Sequence, residues 1–178
     1  DQTVPEAPLW NHAITSSTFT MYSGTTMDAT TSQPSGESLL CLSCHDGTIA
    51  LGDVLSQATD IVMSGGVTTL PAGDSQLETD LSDDHPISFD YTTTITSGGE
   101  YVDPSSLSGA VRLDSGGQMQ CTSCHDPHDN TWGKFLVKPA RASGLCTTCH
   151  IKNGGCYINI GYQLFNCSTT FEVFGTPD

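Results

Sequence analysis

Basic residues are scarce in this sequence. Its 178 residues include only 5 Lys and Arg against 20 Asp and Glu, so the formal net charge is -15 at pH 7. Proteins that bind nucleic acid neutralise its phosphates with Lys and Arg, and the same cations attract proteins to anionic membrane surfaces. The composition therefore predicts a protein that binds neither of these partners and whose acidity keeps it soluble.

Apolar residues are also few. Aromatic residues make up 7% of the chain and hydrophobic residues 36%, and no apolar run approaches the roughly 18 residues that read as a membrane span. We therefore expect a protein that is not membrane-spanning. Such a composition gives a thin core, and conformational entropy opposes folding. We expect a cofactor to supply the missing buried surface, so that the fold fails without it.

Histidine is rare too, but its placement is regular. There are 6 His residues, and every Cys-x-x-Cys pair is followed directly by one of them. This pattern is typical of c-type haem attachment, in which two thiols bond to the porphyrin and the adjacent imidazole binds the iron. Three motifs predict three covalently attached c-type haems. They are motif 1 (Cys41, Cys44, His45), motif 2 (Cys121, Cys124, His125) and motif 3 (Cys146, Cys149, His150).

Two other classes of site also use paired cysteines. A zinc ribbon needs four ligands per metal and leaves the three following histidines unexplained. A thioredoxin-like redox site needs one Cys-x-x-Cys within a βαβ pattern, which this sequence does not show. Covalent haem attachment accounts for all nine residues of the three motifs, so it is the favoured interpretation.

The other three histidines are His12, His85 and His128, one for each iron. Pro86 favours an extended backbone at His85, which projects that side chain from a loop. His128 follows His125 too closely to reach the far face of the same haem, so we expect it to ligate the haem of motif 1 or motif 3. Three bis-His irons have no open position. We therefore expect low potentials and electron transfer without enzymatic bond chemistry.

The organisation expected is a single trihaem domain. Residues 1–36 form an extended N-terminal arm, and residues 37–150 form the haem-binding core. Residues 151–178 form a C-terminal segment closed by a disulfide between Cys156 and Cys167, which have no following His. The fold class predicted is mostly irregular and haem-organised, with low regular secondary structure, short α-helices at the three motifs and a few short β-strands.

A few local elements are predicted from composition. Residues 67–70 suggest a short strand, and Tyr91–Ile95 could pair with Ala110–Leu113 as a small hairpin. Residues 135–137 lie between motifs 2 and 3 and are expected to pack on porphyrin faces or edges. Motifs 2 and 3 are too close in sequence to belong to separate domains, so their haems must be neighbours.

The sequence resembles the multihaem c-type cytochromes with doubled Cys-x-x-Cys-His motifs. Residues 40–48, 84–89 and 121–128 carry the resemblance, and Trp10-Asn11-His12 also fits. In that family the His of the His-Pro pair and the second His of Asp-Pro-His supply distal ligands, which implies these roles for His85 and His128. Some relatives polymerise into extracellular cytochrome filaments in which a His of one subunit ligates a haem of the next. On that analogy His12, on the arm, is the candidate donor.

These features predict an exported electron carrier. Covalent c-haem attachment takes place outside the cytoplasmic membrane, and a chain that opens at Asp1 is expected to be a mature, processed form. We expect the repeating subunit of an extracellular electron-conducting filament, which exchanges electrons with redox proteins or extracellular acceptors. The alternatives are a monomeric periplasmic electron shuttle, a reductase or peroxidase with one open iron, and an adhesive filament whose haems mainly hold the fold together.

Overall fold

Regular secondary structure is sparse. The computed structural model describes residues 10–25, 27–94 and 100–151, and the backbone of Tyr157–Ile160 and Gln163–Asn166. Within these ranges the only α-helix longer than four residues is one of 10 residues, and the strands have two to four residues. None of the helices described is long and apolar enough to cross a membrane. The predicted fold class is confirmed.

The elements follow one another in short pieces. The α-helices are α1 (Gly36–His45), α2 (Tyr91–Thr94) and α3 (Cys121–Cys124). The strands are β1 (Thr20–Met21), β2 (Asp80–Leu81), β3 (Phe89–Asp90), β4 (Gln118–Met119), β5 (Tyr157–Ile160) and β6 (Gln163–Asn166). Single turns of 3-10 helix cover Ser64–Gly66, Pro104–Ser106, Arg141–Ser143 and Cys146–Thr148.

The strands form three separate two-stranded sheets. β1 pairs in parallel with β2, so the arm lies beside the segment that leads to His85. β3 pairs antiparallel with β4, which joins the segment after His85 to the residues just before motif 2. β5 and β6 form an antiparallel pair in the C-terminal segment, and the predicted Cys156–Cys167 disulfide lies outside the described residues.

Most of the buried apolar residues in the described part of the chain form two small clusters. One contains Phe19, Leu42 and Leu81 and lies where the arm meets α1. The other lies beside motif 3 and contains Phe89, Tyr91, Val111, Met119 and Cys149. Each cluster joins segments distant in sequence, so long-range packing, rather than long helices, holds the described segments together.

The described part of the arm packs against the rest of the chain. Phe19 is 4% exposed and belongs to the cluster with Leu42 and Leu81. The side-chain amide of Gln33 accepts a hydrogen bond from the Phe19 backbone N–H and donates one to the Phe19 carbonyl, each at 2.8 Å. An amide that satisfies both backbone groups of one residue stands in for a β-ladder partner. The arm therefore follows a defined path toward motif 1.

The predicted hairpin is wrong. Residues 91–94 form the helical turn α2, and β3 pairs with β4 rather than with 110–113. The cause is local, because the Asp90 carboxylate accepts hydrogen bonds from the Thr92 backbone N–H at 2.8 Å and from its hydroxyl at 2.5 Å. A carboxylate that caps the following N–H groups favours the start of a helix over an extended strand.

Two further local predictions differ from the structure. Residues 67–70 form no strand, since Gly65 and Gly66, with φ of +74° and +71°, turn the chain in the left-handed region just before them. Motif 3 forms a 3-10 turn rather than an α-helix. Ala142 and Ser143 also have positive φ, +53° and +59°, so no regular helix can extend into the motif from its N-terminal side.

Candidate haem-binding sites

Motif 1 is presented by the last turns of α1. Cys41, Cys44 and His45 all lie on this helix, with the two thiols three positions apart and therefore on one face. The helix ends directly after His45, where Gly47 adopts φ of +75° and its N–H donates to the Cys44 carbonyl at 3.1 Å. A left-handed glycine just past the last turn is a common helix ending. The motif therefore stands at an exposed helix end.

Two proximal histidines have the tautomer that a metal ligand needs. The Nδ1 atom of His45 lies 2.6 Å from the Ser75 carbonyl oxygen, and that of His125 lies 2.9 Å from the Lys134 carbonyl oxygen. A carbonyl can only accept, so Nδ1 carries the proton and Nε2 keeps its lone pair. This hydrogen bond orients the ring as a ligand.

His85 shows the same feature and lies opposite His150. Its Nδ1 is 2.8 Å from the Pro86 carbonyl oxygen, and the centroids of the two histidine rings are 6.5 Å apart with an interplanar angle of 74°. The two imidazoles therefore lie close together in a T-shaped arrangement beside motif 3. Both could hold a metal there, since a histidine nitrogen is a common metal ligand.

The surroundings of this pair favour neutral rings. Burial lowers the pKa of His150, and the nearby His85 lowers it further. His85 has an exposed surface, yet the protein packed around it also lowers its pKa. Neutral imidazole is the form that binds a metal.

The sequence did not predict that Tyr101 lies at this site. Its ring centroid is 5.1 Å from that of His150, and its backbone forms a β-bridge with His150.

His12 lies against motif 1 of its own chain. Its Nε2 is 3.0 Å from the Ala50 carbonyl oxygen and 3.9 Å from the Cys44 sulfur. The backbone of His12 forms an antiparallel bridge with Val54, and the Trp10 ring centroid lies 5.9 Å away. Ligation through Nε2 would require this nitrogen to exchange the Ala50 carbonyl for an iron. The structure therefore brings His12 to motif 1 but not to motif 3.

His128 is not brought to another motif. Its side chain is exposed, and its backbone N–H donates to the Asp126 carboxylate at 2.9 Å. Among the described residues no hydrogen bond or ring contact is recorded for its imidazole. That His128 ligates the haem of motif 1 or motif 3 stays a prediction.

Cysteines of motif 2 lie near cysteines of each of the other two motifs. The thiols of Cys41 and Cys121 form a hydrogen bond, which raises the pKa of Cys41 and lowers that of Cys121. Burial raises the pKa of Cys124 to about 11, and the charges of Cys149 and Cys146 add to that rise. Motif 2 therefore lies next to both other motifs.

Several large apolar side chains are exposed. Trp132 and Phe135 lie within two residues of Lys134, whose carbonyl contacts His125, and Ile151 directly follows His150. Apolar surface left in water is costly, and a porphyrin covering it would remove that cost. Phe135, predicted to pack on a porphyrin, is one of them. The exposed large apolar residues are Leu55, Ile61, Val62, Met63, Val67, Trp132, Phe135 and Ile151.

The donor set fits covalently bound haem. Each motif supplies two thiols and an adjacent imidazole, and the rings of His45, His85 and His125 are held in the ligand tautomer. Within the described ranges, no group of three or more His, Cys, Asp and Glu side chains is close enough to hold a metal ion.

The family comparison agrees with these donors over part of the chain. The family model described as "Doubled CXXCH motif" matches residues 115–155, which include motifs 2 and 3. No curated protein matches the chain. Motifs of this kind indicate covalently bound c-type haem, so the matched region is consistent with a haem-binding, multihaem c-type cytochrome that transfers electrons.

Proposed function

We propose that this protein is a trihaem c-type cytochrome that carries electrons through closely spaced haems and catalyses no bond chemistry. The observation that carries the proposal is the set of three motifs, one of which has a second histidine beside it, with the ring centroids of His85 and His150 6.5 Å apart. Bound haem would supply a one-electron carrier at each motif.

The chain's own residues would set the properties of these carriers. Backbone carbonyls hold the Nδ1 protons of His45, His85 and His125, so each ring is oriented before it meets iron. Two imidazoles on one iron give a lower potential than a His–Met pair, and they leave no open site for a substrate.

Contacts within the chain support two of the three distal assignments. His12 lies against Cys44 of motif 1, and His85 lies opposite His150 of motif 3. This leaves the iron of motif 2 and the exposed His128, which cannot reach the far face of its own haem. A second copy of the chain could supply its His128 as the distal ligand of the motif 2 iron.

We extend the proposal to assembly. An exported chain whose motif 2 iron is completed by His128 of a neighbouring copy would form an extracellular filament that passes electrons to redox proteins or extracellular acceptors. The sequence suggested His12 as the ligand donated across subunits, but its contacts with Ala50 and Cys44 favour a role in its own chain. A monomeric periplasmic shuttle and a reductase with one open iron are the alternatives.

The first experiment measures the holoprotein at increasing concentration. Intact-mass analysis should show three covalent haems, and dilute protein should contain one high-spin haem that binds carbon monoxide. Assembly, followed by size-exclusion and electron microscopy, should convert that haem to the low-spin form. Protein that is fully low-spin and monomeric at every concentration would indicate a shuttle, whereas one high-spin haem at every concentration would indicate an enzyme.

A pair of histidine variants tests the ligand assignment. His85→Ala should create one additional high-spin haem at every concentration, because it removes the ring opposite His150. His128→Ala should leave the dilute spectrum unchanged and prevent assembly. A His85→Ala protein with an unaltered low-spin spectrum would contradict the motif 3 assignment, and fewer than three haem masses in the native protein would contradict the whole proposal.

A further inference from the structure

Gln120, just before motif 2, joins three separate segments through its side chain. It is 1% exposed. Its Oε1 accepts hydrogen bonds from the hydroxyl of Ser38 at 2.5 Å and of Ser88 at 3.2 Å, and its Nε2 donates to the Asp114 carboxylate at 2.9 Å. A buried amide whose donor and acceptor are both satisfied fixes the groups around it, because any displacement leaves a polar atom unpaired.

One of these contacts locks the helix of motif 1 to the helix of motif 2. Ser38 lies on α1, one turn before Cys41. Its hydroxyl also accepts a hydrogen bond from the Cys121 backbone N–H at 3.0 Å, and the neighbouring Thr122 hydroxyl donates to the Glu37 carboxylate. The first turn of α3 is therefore held directly on α1, where the Cys41 and Cys121 thiols meet.

The second contact holds a strained residue near His85. Ser88 is 1% exposed and has φ of +56°, a left-handed conformation that costs an L-residue roughly 1–2 kcal/mol. Its N–H donates to the Met119 carbonyl at 2.7 Å, and its hydroxyl accepts from the Ser35 N–H at 3.0 Å. The same buried network thus steadies the segment that carries the predicted distal ligand of motif 3.

We propose that Gln120 is the positioning residue that sets the haems of motifs 1 and 2 relative to each other. This inference rests on the proposed function, since it concerns haems attached to these motifs. The hydrogen bonds between Gln120 and Ser38, together with the one from the Cys121 backbone N–H to Ser38, form a rigid link between α1 and α3. Electron exchange between two haems depends on their separation, which this link controls.

Two serines on α1 provide a matched comparison. Ser38 and Ser43 are both 0% exposed. The Ser43 hydroxyl donates to the Leu39 carbonyl at 2.8 Å and accepts from the Thr15 backbone N–H at 3.0 Å, so it faces the arm instead of motif 2. Ser38→Ala and Ser43→Ala therefore remove the same hydroxyl group from the same helix. Only Ser38→Ala removes hydrogen bonds to Gln120 and Cys121.

The readout is circular dichroism of the Soret band, in which neighbouring haems give a paired positive and negative signal that depends on their separation and orientation. Ser38→Ala and Gln120→Met, which keeps the side-chain length without the amide, should lose amplitude in this signal. They should also shift the midpoint potentials of the coupled haems. Ser43→Ala should change neither, and all three variants should retain three haems by mass and a low-spin fraction equal to that of the native protein.

Each outcome decides the proposal. An unchanged Soret signal in Ser38→Ala and Gln120→Met, with all haems bound, would overturn it, as would an equal loss in Ser43→Ala. If Gln120→Met does not accumulate, the comparison between the two serine variants alone decides. A native protein without three covalent haems would instead defeat the proposed function, before any variant is measured.

Discussion

Asp46, directly after His45, is a buried carboxylate at 4% exposure. Burial by itself would raise the pKa of Asp46, but hydrogen bonds from Thr15 and Thr48 outweigh it and keep the pKa below its ordinary value. The Thr15 hydroxyl lies 2.5 Å from one carboxylate oxygen, and the Thr48 N–H and hydroxyl lie 2.8 Å from the other. The ionised carboxylate thus connects the arm to motif 1.

We predict that Asp46→Ala destabilises the holoprotein by about 2–4 kcal/mol, because hydrogen bonds to a charged, buried acceptor contribute about 1.5–3 kcal/mol and their donors would be left unpaired. Denaturant unfolding followed by far-UV circular dichroism measures this change. Asp80→Ala is the control, since Asp80 is exposed and caps Ser82 in a local turn. Its effect should stay within about 0.5 kcal/mol. Equal effects of the two variants would show that Asp46 has no special structural role.

Residue types at the sites were predictable, but their orienting partners were not. The spacing of two cysteines and an adjacent histidine is enough to predict haem attachment. The carbonyl that orients His125 belongs to Lys134, in a turn where Gly133, Lys134 and Phe135 all have positive φ. Sequence patterns seldom predict left-handed Lys or Phe, since their side chains disfavour it. Such strain commonly occurs at functional sites, so this turn belongs with motif 2.

At the scale of elements, the end of α1 determines where motif 1 stands. Gly47 has φ of +75°, and a Cβ added there would lie 1.9 Å from the side-chain nitrogen of Gln76. Leu77 follows with a backbone N–H that donates to the His45 carbonyl at 2.7 Å. The glycine therefore permits both the sharp end of the helix and the close approach of residues 75–77, whose Ser75 carbonyl orients His45.

Gly47→Ala should destabilise the protein by more than Gly65→Ala. Both positions are left-handed, with φ of +75° and +74°, but a Cβ at Gly65 would meet nothing within 4 Å. The conformational cost of about 1–2 kcal/mol is therefore common to both changes, and only Gly47→Ala also displaces Gln76. Thermal unfolding compares the two, and equal shifts would show that the contact with Gln76 contributes nothing.

The prediction of elements succeeded at motifs 1 and 2, and it failed at motif 3 and where a side chain redirects the backbone. The helix expected through Cys44 and His45 is present as α1. In the described part of the strand expected at Tyr91–Ile95, residues 91–94 form a helical turn instead, because the Asp90 carboxylate caps the next residues. A period-two pattern of Thr and apolar residues cannot reveal such a cap, although the Asp-x-Thr sequence itself was visible and favours a turn.

At the scale of the whole molecule, folding is divided among small clusters and the expected cofactors. In the described part of the chain most of the buried apolar side chains make two small clusters, and several large apolar side chains are exposed. The net charge of -15 adds self-repulsion in any compact state. The sequence revealed this deficit of core, but it could not show how the polar Gln120 network joins motifs 1 and 2, because those contacts link residues more than 80 positions apart.

Removal of haem should therefore unfold the chain. We predict that protein produced in a reducing cytoplasm, without covalent haem attachment, lacks a cooperative denaturant transition and is digested by protease far faster than the holoprotein. The reason is that large apolar side chains, such as Val62 at 90% and Phe135 at 46% exposure, would have nothing to cover them. A variant with Cys146→Ala and Cys149→Ala, which keeps two haems, should show intermediate protease resistance. A cooperative transition in the haem-free chain would instead show that the two clusters and the buried hydrogen bonds suffice for folding.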